Sequence, residues 1–204
     1  MASCSRCPST PRRGPRFHRG PAAAAGPRER WRCWRHGAAH AKGRRMTADP
    51  TLRTLRPDDA EACAALVRSA FSAQDVVTDP PSSALRETGD SLRAWIAAGG
   101  GVGIAAGDRL LALLLWAERD GGLYCGRLAV DPAARGRGFA RALVAEAERE
   151  ARRRSLPRLH VRVRLQLAGN LALFASLGFR EIARDVHAGY PEPTLAVLEK
   201  RLDG

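Results

Sequence analysis

The chain has 204 residues, of which 45% are hydrophobic, and its formal net charge is +13 at pH 7. This length is typical of one well-cored domain with a tail or a second small element. No apolar run approaches the roughly 18 residues that a membrane-spanning helix needs, so we do not expect a membrane protein. Residues 1–45 hold eleven Arg and one Lys against one acidic residue, whereas the remaining 159 residues hold 22 basic and 20 acidic side chains. Any argument from basicity to nucleic-acid binding therefore applies only to the N-terminal segment.

The N-terminal segment, residues 1–45, is rich in Arg, Pro, Gly and Ala and has no apolar periodicity. This composition predicts a disordered basic extension in front of one folded domain at 46–204. Three other interpretations stay open: a transit peptide, an arm that tethers the protein to nucleic acid or the ribosome, and a zinc site. The side chains available for a zinc site are Cys4, Cys7, Cys33, His36 and His40. In the domain itself, two cysteines in apolar segments indicate a reducing cytoplasm, and we expect no metal.

From residue 46 onward the apolar residues follow regular periods. Asp58-x-x-Glu61 matches a helix capping box, and Gly107-Asp108 predicts a hairpin turn. In chain order we predict a strand at 51–56, a helix at 58–71, a loop with some helix at 72–90, a helix at 91–98, strands at 102–106, 110–118 and 123–130, a helix at 139–154, a strand at 159–165, a helix at 170–177, and strands at 179–184 and 194–200. Hairpins, one helical crossover and further strands indicate a mixed α/β sheet, mostly antiparallel, and argue against a doubly wound one.

One short loop has the clearest chemistry, because it joins a predicted strand to an amphipathic helix. Its residues are Arg135, Gly136, Arg137, Gly138, Phe139 and Ala140. A helix N-terminus presents unpaired N–H groups and about half a positive charge. Glycine lets the backbone approach a diphosphate closely, and arginine adds charge and hydrogen-bond donors. The loop therefore predicts a pyrophosphate site.

Two common look-alikes of this loop do not fit its surroundings. A P-loop needs Gly-Lys-Ser/Thr, which is missing. A dinucleotide fingerprint that starts at Gly136 would need Gly or Ala where Arg141 stands. It would also need an acidic residue about 20 positions on, where the chain has Leu156-Pro157-Arg158. A bare glycine turn remains as the alternative interpretation.

At these residues the chain resembles the GNAT superfamily of acetyl-CoA-dependent N-acetyltransferases. The family signature Gln/Arg-x-x-Gly-x-Gly/Ala is matched by Arg135, Gly138 and Ala140. The preceding Arg127–Pro132 resembles the central strand of the family, and Leu177–Phe179 resembles its downstream turn. The resemblance covers essentially the whole domain after the basic segment.

The resemblance implies a sheet in which two adjacent parallel strands splay apart around acetyl-CoA, with the amides of 136–140 at the pyrophosphate. Besides that loop, the cofactor contacts that it implies are Leu128, Ala129, Val130, Asn170 and Phe174. An amine of a small molecule or peptide would attack the thioester, and a backbone N–H near Leu128 or Ala129 would hold the oxyanion. The family is often dimeric, so a homodimer is also open.

The chain departs from the family pattern where many members place a tyrosine that protonates the departing thiolate. Phe174 stands there without a hydroxyl, so we consider Tyr190 or water as the proton donor and Glu118 as a general base. Asn170 has a second interpretation as a helix N-cap. The missing hydroxyl also leaves a second function open, a catalytically silent acyl-CoA-binding module.

The acceptor site is expected in the loops at 72–100 and 185–194, because loops of this kind often wall substrate pockets. In the second loop His187 and Tyr190 are candidates for a functional role, and Tyr124 on the central strand is another. His160 is expected on a solvated strand face. Neither loop contains a motif that identifies the acceptor.

Overall fold

The structure is a computed structural model that describes residues 48–202. The interpretations of the basic segment, as an extension, a transit peptide, a nucleic-acid arm or a zinc site, therefore lie outside the described residues. All described residues belong to one unit of the chain, which extends from Lys42 to Gly204. Between residues 48 and 202, no helix is long and apolar enough to cross a membrane.

Seven strands and four α-helices make up the described part of the chain. The strands are β1 Thr51–Thr54, β2 Gly101–Ala106, β3 Arg109–Arg119, β4 Gly122–Val130, β5 Arg158–Arg164, β6 Arg180–Asp185 and β7 Leu195–Arg201. The helices are α1 Ala60–Ser72, α2 Gly89–Ala98, α3 Phe139–Arg153 and α4 Ala168–Ser176. Short 3-10 turns lie at Pro57–Asp59, Ser83–Arg86 and Pro132–Ala134. Each predicted helix and strand is present, with ends that agree to within about two residues.

The strands form one sheet in the order β1-β2-β3-β4-β5-β7-β6. Neighbouring strands are antiparallel except for β4 and β5. Because parallel neighbours need a long connection, α3 forms the crossover between these two strands. The structure therefore confirms the predicted mixed, mostly antiparallel α/β fold.

Helices cover both faces of the sheet around β3 and β4. Side chains alternate along β3, so Leu113 and Leu115 join one buried cluster with α1 and α2, whereas Leu114 points to the opposite face. Helix α3 contacts β2, β3, β4 and β5. Its Leu143 and Val144 are fully buried, so α3 packs on that opposite face. This arrangement fixes β4 between two helical layers.

The predicted start of the first helix is wrong in detail. The capping box of Asp58 and Glu61 does not form, because α1 begins at Ala60 after a 3-10 turn. Instead, the Asp59 carboxylate accepts a hydrogen bond from the backbone N–H of Arg56 at 2.8 Å. The same carboxylate pairs with Arg53 of β1 at 2.7 Å. Asp59 therefore anchors the first helix to the first strand.

Gly99, at the end of α2, offers a test of this packing. A Cβ atom built at Gly99 would lie 2.0 Å from the backbone oxygen of Trp116 in β3, so Gly99→Ala must displace backbone. We expect Gly99→Ala to lower the free energy of unfolding by about 1–3 kcal/mol in urea titrations. Gly169→Ala is the control, because no atom lies within 4 Å of its Cβ position. In α4 it should be neutral or stabilise by up to about 1 kcal/mol. Equal stability of both variants would contradict the tight contact.

Candidate functional site

The parallel strands β4 and β5 separate soon after they meet. They pair at Leu123 with Leu159 and at Tyr124 with His160, and no further pairing follows, although both strands are described to their ends. Beyond these residues a cleft of about 860 Å³ opens, and both strands line it. This is the splayed pair that the sequence resemblance implies.

A β-bulge in β4 lies inside the cleft. Leu115 and Leu113 of β3 lie opposite Gly126 and Ala129, so β4 has one extra residue there. Arg127 adopts the left-handed conformation, with φ of +54°, which costs a non-glycine residue of the order of 1–3 kcal/mol. The bulge turns the backbone at Leu128, which lines the cleft. The sequence pattern does not indicate this bulge, because Arg127 occupies an ordinary position in the pattern of a strand.

The Arg127 side chain holds the bulge to the neighbouring helical layer. Its Nε donates to Glu87 Oε1 at 2.6 Å, and its guanidinium stacks over the Trp95 ring, 5.4 Å from the centroid. Glu87 is buried, so this ion pair is shielded from solvent. The contact counters the backbone strain and matches the charge of Arg127 with a carboxylate.

The glycine-rich loop lies at the other end of β4. Gly136 and Gly138 adopt left-handed conformations with φ of +74° and +76°, which glycine accepts without strain. Gly138 is the N-cap of α3, so the first-turn amides, from Phe139 onward, have no partner within the helix. Loop residues 135–141 all line the cleft. The predicted anion-binding helix N-terminus is therefore open to it.

The three arginines of this loop region have different contacts. Arg135 donates to the carbonyl oxygens of Ala70 and Ala73 at 2.9 and 3.0 Å, so its charge lies at the C-terminus of α1. Arg137 places its guanidinium 5.1 Å from the Phe139 ring centroid. Arg141 donates to Ser176 Oγ at 2.9 Å and thereby links α3 to α4. The sequence predicts Arg135 at the pyrophosphate site. In this structure Arg135 instead connects the loop to α1.

Helix α4 lines the same end of the cleft. Asn170 is exposed and lies inside α4, which begins at Ala168, so the interpretation of Asn170 as an N-cap is wrong. Phe174 is buried, lines the cleft, and packs edge-on against Phe179 with centroids 5.2 Å apart. Both residues are therefore placed beside the glycine-rich loop.

The two catalytic candidates lie outside the cleft lining. Glu118 is exposed near the end of β3, opposite Leu123, beyond the closed end of the splay. The Tyr190 hydroxyl donates to Asp79 Oδ1 at 2.5 Å, and this hydrogen bond raises the pKa of Tyr190. The structure does not bring these two residues together.

His160 and Tyr124 lie where the two strands part. Their rings are 5.4 Å apart, and Tyr124 also stacks on Trp95 at 6.2 Å and lines the cleft. His160 is buried, so the expected solvated position is wrong, and burial lowers its pKa. The tilted ring of Tyr124 lies against this imidazole, which strand periodicity alone could not indicate.

A second group of polar residues joins the two loops of the expected acceptor side. Arg164 Nη2 donates to the carbonyl oxygen of Pro81 at 3.3 Å, and Gln166 Nε2 donates to that of Asp79 at 3.1 Å. Arg164 Nη1 lies 3.2 Å from His187 Nδ1, which also contacts the Thr194 hydroxyl. The end of β5 therefore connects the loop before α2 to the loop before β7.

A profile of the acetyltransferase (GNAT) family matches residues 67–179. The chain belongs to this family. GNAT enzymes are acyltransferases that take an acetyl group from acetyl-CoA. Compared by sequence with curated proteins, the chain matches none of them.

Solved GNAT structures share the fold at low sequence identity. The PaiA N-acetyltransferase of Thermoplasma acidophilum, in complex with coenzyme A, is 17% identical with a TM-score of 0.63, covering 76% of this chain and 99% of that one. The ribosomal-protein-S18-alanine N-acetyltransferase of Escherichia coli is 20% identical with a TM-score of 0.58, covering 76% and 97%. The protein yncA of Salmonella typhimurium, with its cofactor acetyl-CoA, is 20% identical with a TM-score of 0.58, covering 76% and 94%. Within residues 48–202, no group of three or more His, Cys, Asp and Glu side chains is placed to hold a metal ion.

The contact between Arg164 and His187 predicts a shifted titration. Burial, followed by the nearby Arg164 charge, lowers the pKa of His187 from its ordinary value of 6.5. We expect imidazole NMR titrations to give a pKa below that value, and Arg164→Gln to raise it by removing one cause. His160 is the internal control, because the charges that shift its pKa do not include Arg164. An unchanged His187 pKa in the variant would contradict this contact.

Proposed function

We propose that this protein is an N-acetyltransferase that moves the acetyl group of acetyl-CoA to an amine of a small molecule or peptide. The amine would attack directly, while both reactants lie in the cleft between β4 and β5. The observation that supports this most is the parting of those strands after Tyr124 and His160, with an open helix N-terminus at one end of the gap. Family membership supports the acetyl transfer itself.

The residues of the cleft fit acetyl-CoA. The first-turn amides of α3 and the glycine conformations at Gly136 and Gly138 suit a pyrophosphate, and a Cβ at Gly136 would meet no atom within 4 Å. Pairing of β4 with β5 ends at Tyr124, so the edge of β4 from 125 to 130 faces the cleft. An extended pantetheine arm could pair with this edge at Leu128, Ala129 and Val130. In this proposal Asn170 and Phe174 border the same ligand from α4.

The chain would contribute mainly alignment and an oxyanion contact. Acetyl-CoA supplies a thioester whose carbonyl carbon accepts the amine. A backbone N–H near Leu128 or Ala129, turned by the bulge, would stabilise the oxyanion. Holding both reactants in one cleft supplies much of the rate by removing the entropy of their encounter. Phe174 has no proton to give, so we assign protonation of the thiolate to water.

Tyr190 and Glu118 take different places in this proposal from those first considered. Because the Tyr190 hydroxyl donates to Asp79, we assign it to the positioning of the acceptor loops. Glu118 is exposed beyond the closed end of the splay, so we give it no part in the transfer. If the amine enters the cleft unprotonated, solvent alone can accept the proton that its nitrogen loses after the attack.

The decisive experiment measures thiol release from acetyl-CoA by the full chain across a broad panel of amines. We expect release that depends on at least one amine, with a matching acetylated product by mass spectrometry. A catalytically silent acyl-CoA-binding module is the alternative, and Phe174 is the observation that favours it. Binding of acetyl-CoA without turnover across the panel would support that alternative and contradict acetyl transfer.

Ala140→Asp tests the pyrophosphate site without breaking the loop. Ala140 lies in the first turn of α3 and lines the cleft, and an acidic residue there is favourable for the helix. We expect the fold to be kept and the Kd for acetyl-CoA to rise about tenfold or more by charge repulsion. Ala145→Asp, exposed on the same helix, is the charge-matched control and should leave the Kd within about twofold. Equal affinity of the two variants would place the pyrophosphate elsewhere.

A further inference from the structure

Three arginines of the cleft lining lie on the side of the expected acceptor. Arg127 pairs with Glu87 at 2.5 Å, and Arg162 pairs with Asp185 at 3.1 Å. Arg164 lies two residues beyond Arg162 on β5, so its side chain shares that face of the sheet. Among the ion pairs of residues 48–202, Arg164 takes part in none. Two of these three charges are therefore matched by a carboxylate and one is not.

The hydrogen-bond contacts of Arg164 are with a carbonyl oxygen and an imidazole rather than with a carboxylate. One is the carbonyl oxygen of Pro81, and the other is Nδ1 of His187, whose pKa is lowered by burial and by the Arg164 charge. Asp79 is the acidic residue whose charge acts on Arg164, but the two side chains form no ion pair, and the Asp79 carboxylate accepts the Tyr190 hydroxyl instead. Arg164 is half-buried, and this burial lowers the pKa of its guanidinium.

The position of Arg164 matches that of the proposed oxyanion contact. Arg164 lies four residues beyond His160 on β5, and on β4 the extra residue of the bulge places Ala129 four regular positions beyond Tyr124. With a rise of about 3.3 Å per residue, Ala129 and Arg164 lie at about the same level on opposite walls of the cleft. Both line it. A ligand between these walls can contact the backbone of Ala129 and the guanidinium of Arg164 together.

We propose that the amine acceptor bears a carboxylate and that Arg164 binds this carboxylate across the cleft from Ala129. The inference rests on the proposed acetyl transfer and names the class of its acceptor, an amino acid or another amino carboxylate. The planar guanidinium matches a carboxylate with two parallel hydrogen bonds. One unmatched positive charge suits a monoanion, whereas a phosphate dianion would call for a second. His187 and Pro81 orient the guanidinium for this contact.

Matched acceptor pairs test the proposal on the full chain. Each pair presents one amine either as the free carboxylate or as its carboxamide, and successive pairs lengthen the spacer by one methylene. We expect the wild type to favour the carboxylate of the best-fitting pair by about 10- to 100-fold in kcat/KM, as for a charge-assisted hydrogen bond. Arg164→Gln should abolish this preference through a raised KM for carboxylates, with little change for carboxamides.

The control variant is Arg184→Gln, which removes an equal charge from exposed β6, where Arg184 pairs with Glu181. It should keep the preference for carboxylates. A merely structural role of Arg164 would slow both members of every pair alike, and that result would overturn the proposal. Equal acetylation of both members by the wild type would also overturn it while leaving acetyl transfer intact.

Thiol release with other amines but with no member of any pair would overturn the carboxylate acceptor and leave acetyl transfer intact, whereas no release across the broad amine panel would contradict acetyl transfer itself. Calorimetry with the coenzyme-A-loaded protein would then test the carboxylate site directly. Binding of an amino carboxylate that is lost in Arg164→Gln and kept in Arg184→Gln supports the site. No difference between the two variants overturns it.

Discussion

The parting of β4 and β5 after Tyr124 and His160 is the constraint on which the rest of this structure depends. Buried backbone N–H and C=O groups need partners, so two strands can separate only if each keeps its other neighbour. Strand β4 stays paired with β3 as far as Val130, and β5 stays paired with β7 as far as Arg164. The sheet therefore remains continuous on both sides of the gap. The open edges are left for a ligand that can supply backbone-like hydrogen bonds.

Charge is distributed differently at the two ends of this gap. At the α3 end, backbone amides and the helix dipole favour an anion, while Arg135 is held by carbonyl oxygens of α1. At the other end, side chains provide the charge, and buried Glu87 already matches Arg127. That ion pair and the contact with the Trp95 ring offset the backbone strain at Arg127. One cleft thus offers two distinct anion environments, one built from backbone and one from Arg164.

Local patterns predicted the elements and the glycine-rich loop well, because both depend on residues that are near in sequence. Helical and strand periodicity indicated each element, and Gly136 and Gly138 adopt the left-handed conformations that only glycine accepts freely. Predictions about single side chains succeeded less often. His160 is buried by Tyr124, and Asn170 lies within α4, because the rest of the chain decides both surroundings. Glu118 was considered for its position at a strand end, yet register places it opposite Leu123, away from the cleft.

The sequence by itself determined the mixed sheet, the single helical crossover and the loop that opens α3, since periodicity and glycine spacing express local geometry. Its resemblance to the GNAT family, which the family match confirms, rested on those same local residues. Only the tertiary structure decided where the charges lie. In this structure Arg135 contacts the end of α1, Arg127 pairs with Glu87, and Arg164 lies beside His187 with no ion pair to a carboxylate among residues 48–202. These contacts join residues that are distant in sequence. The local spacing of apolar residues does not indicate which partner a long charged side chain will contact.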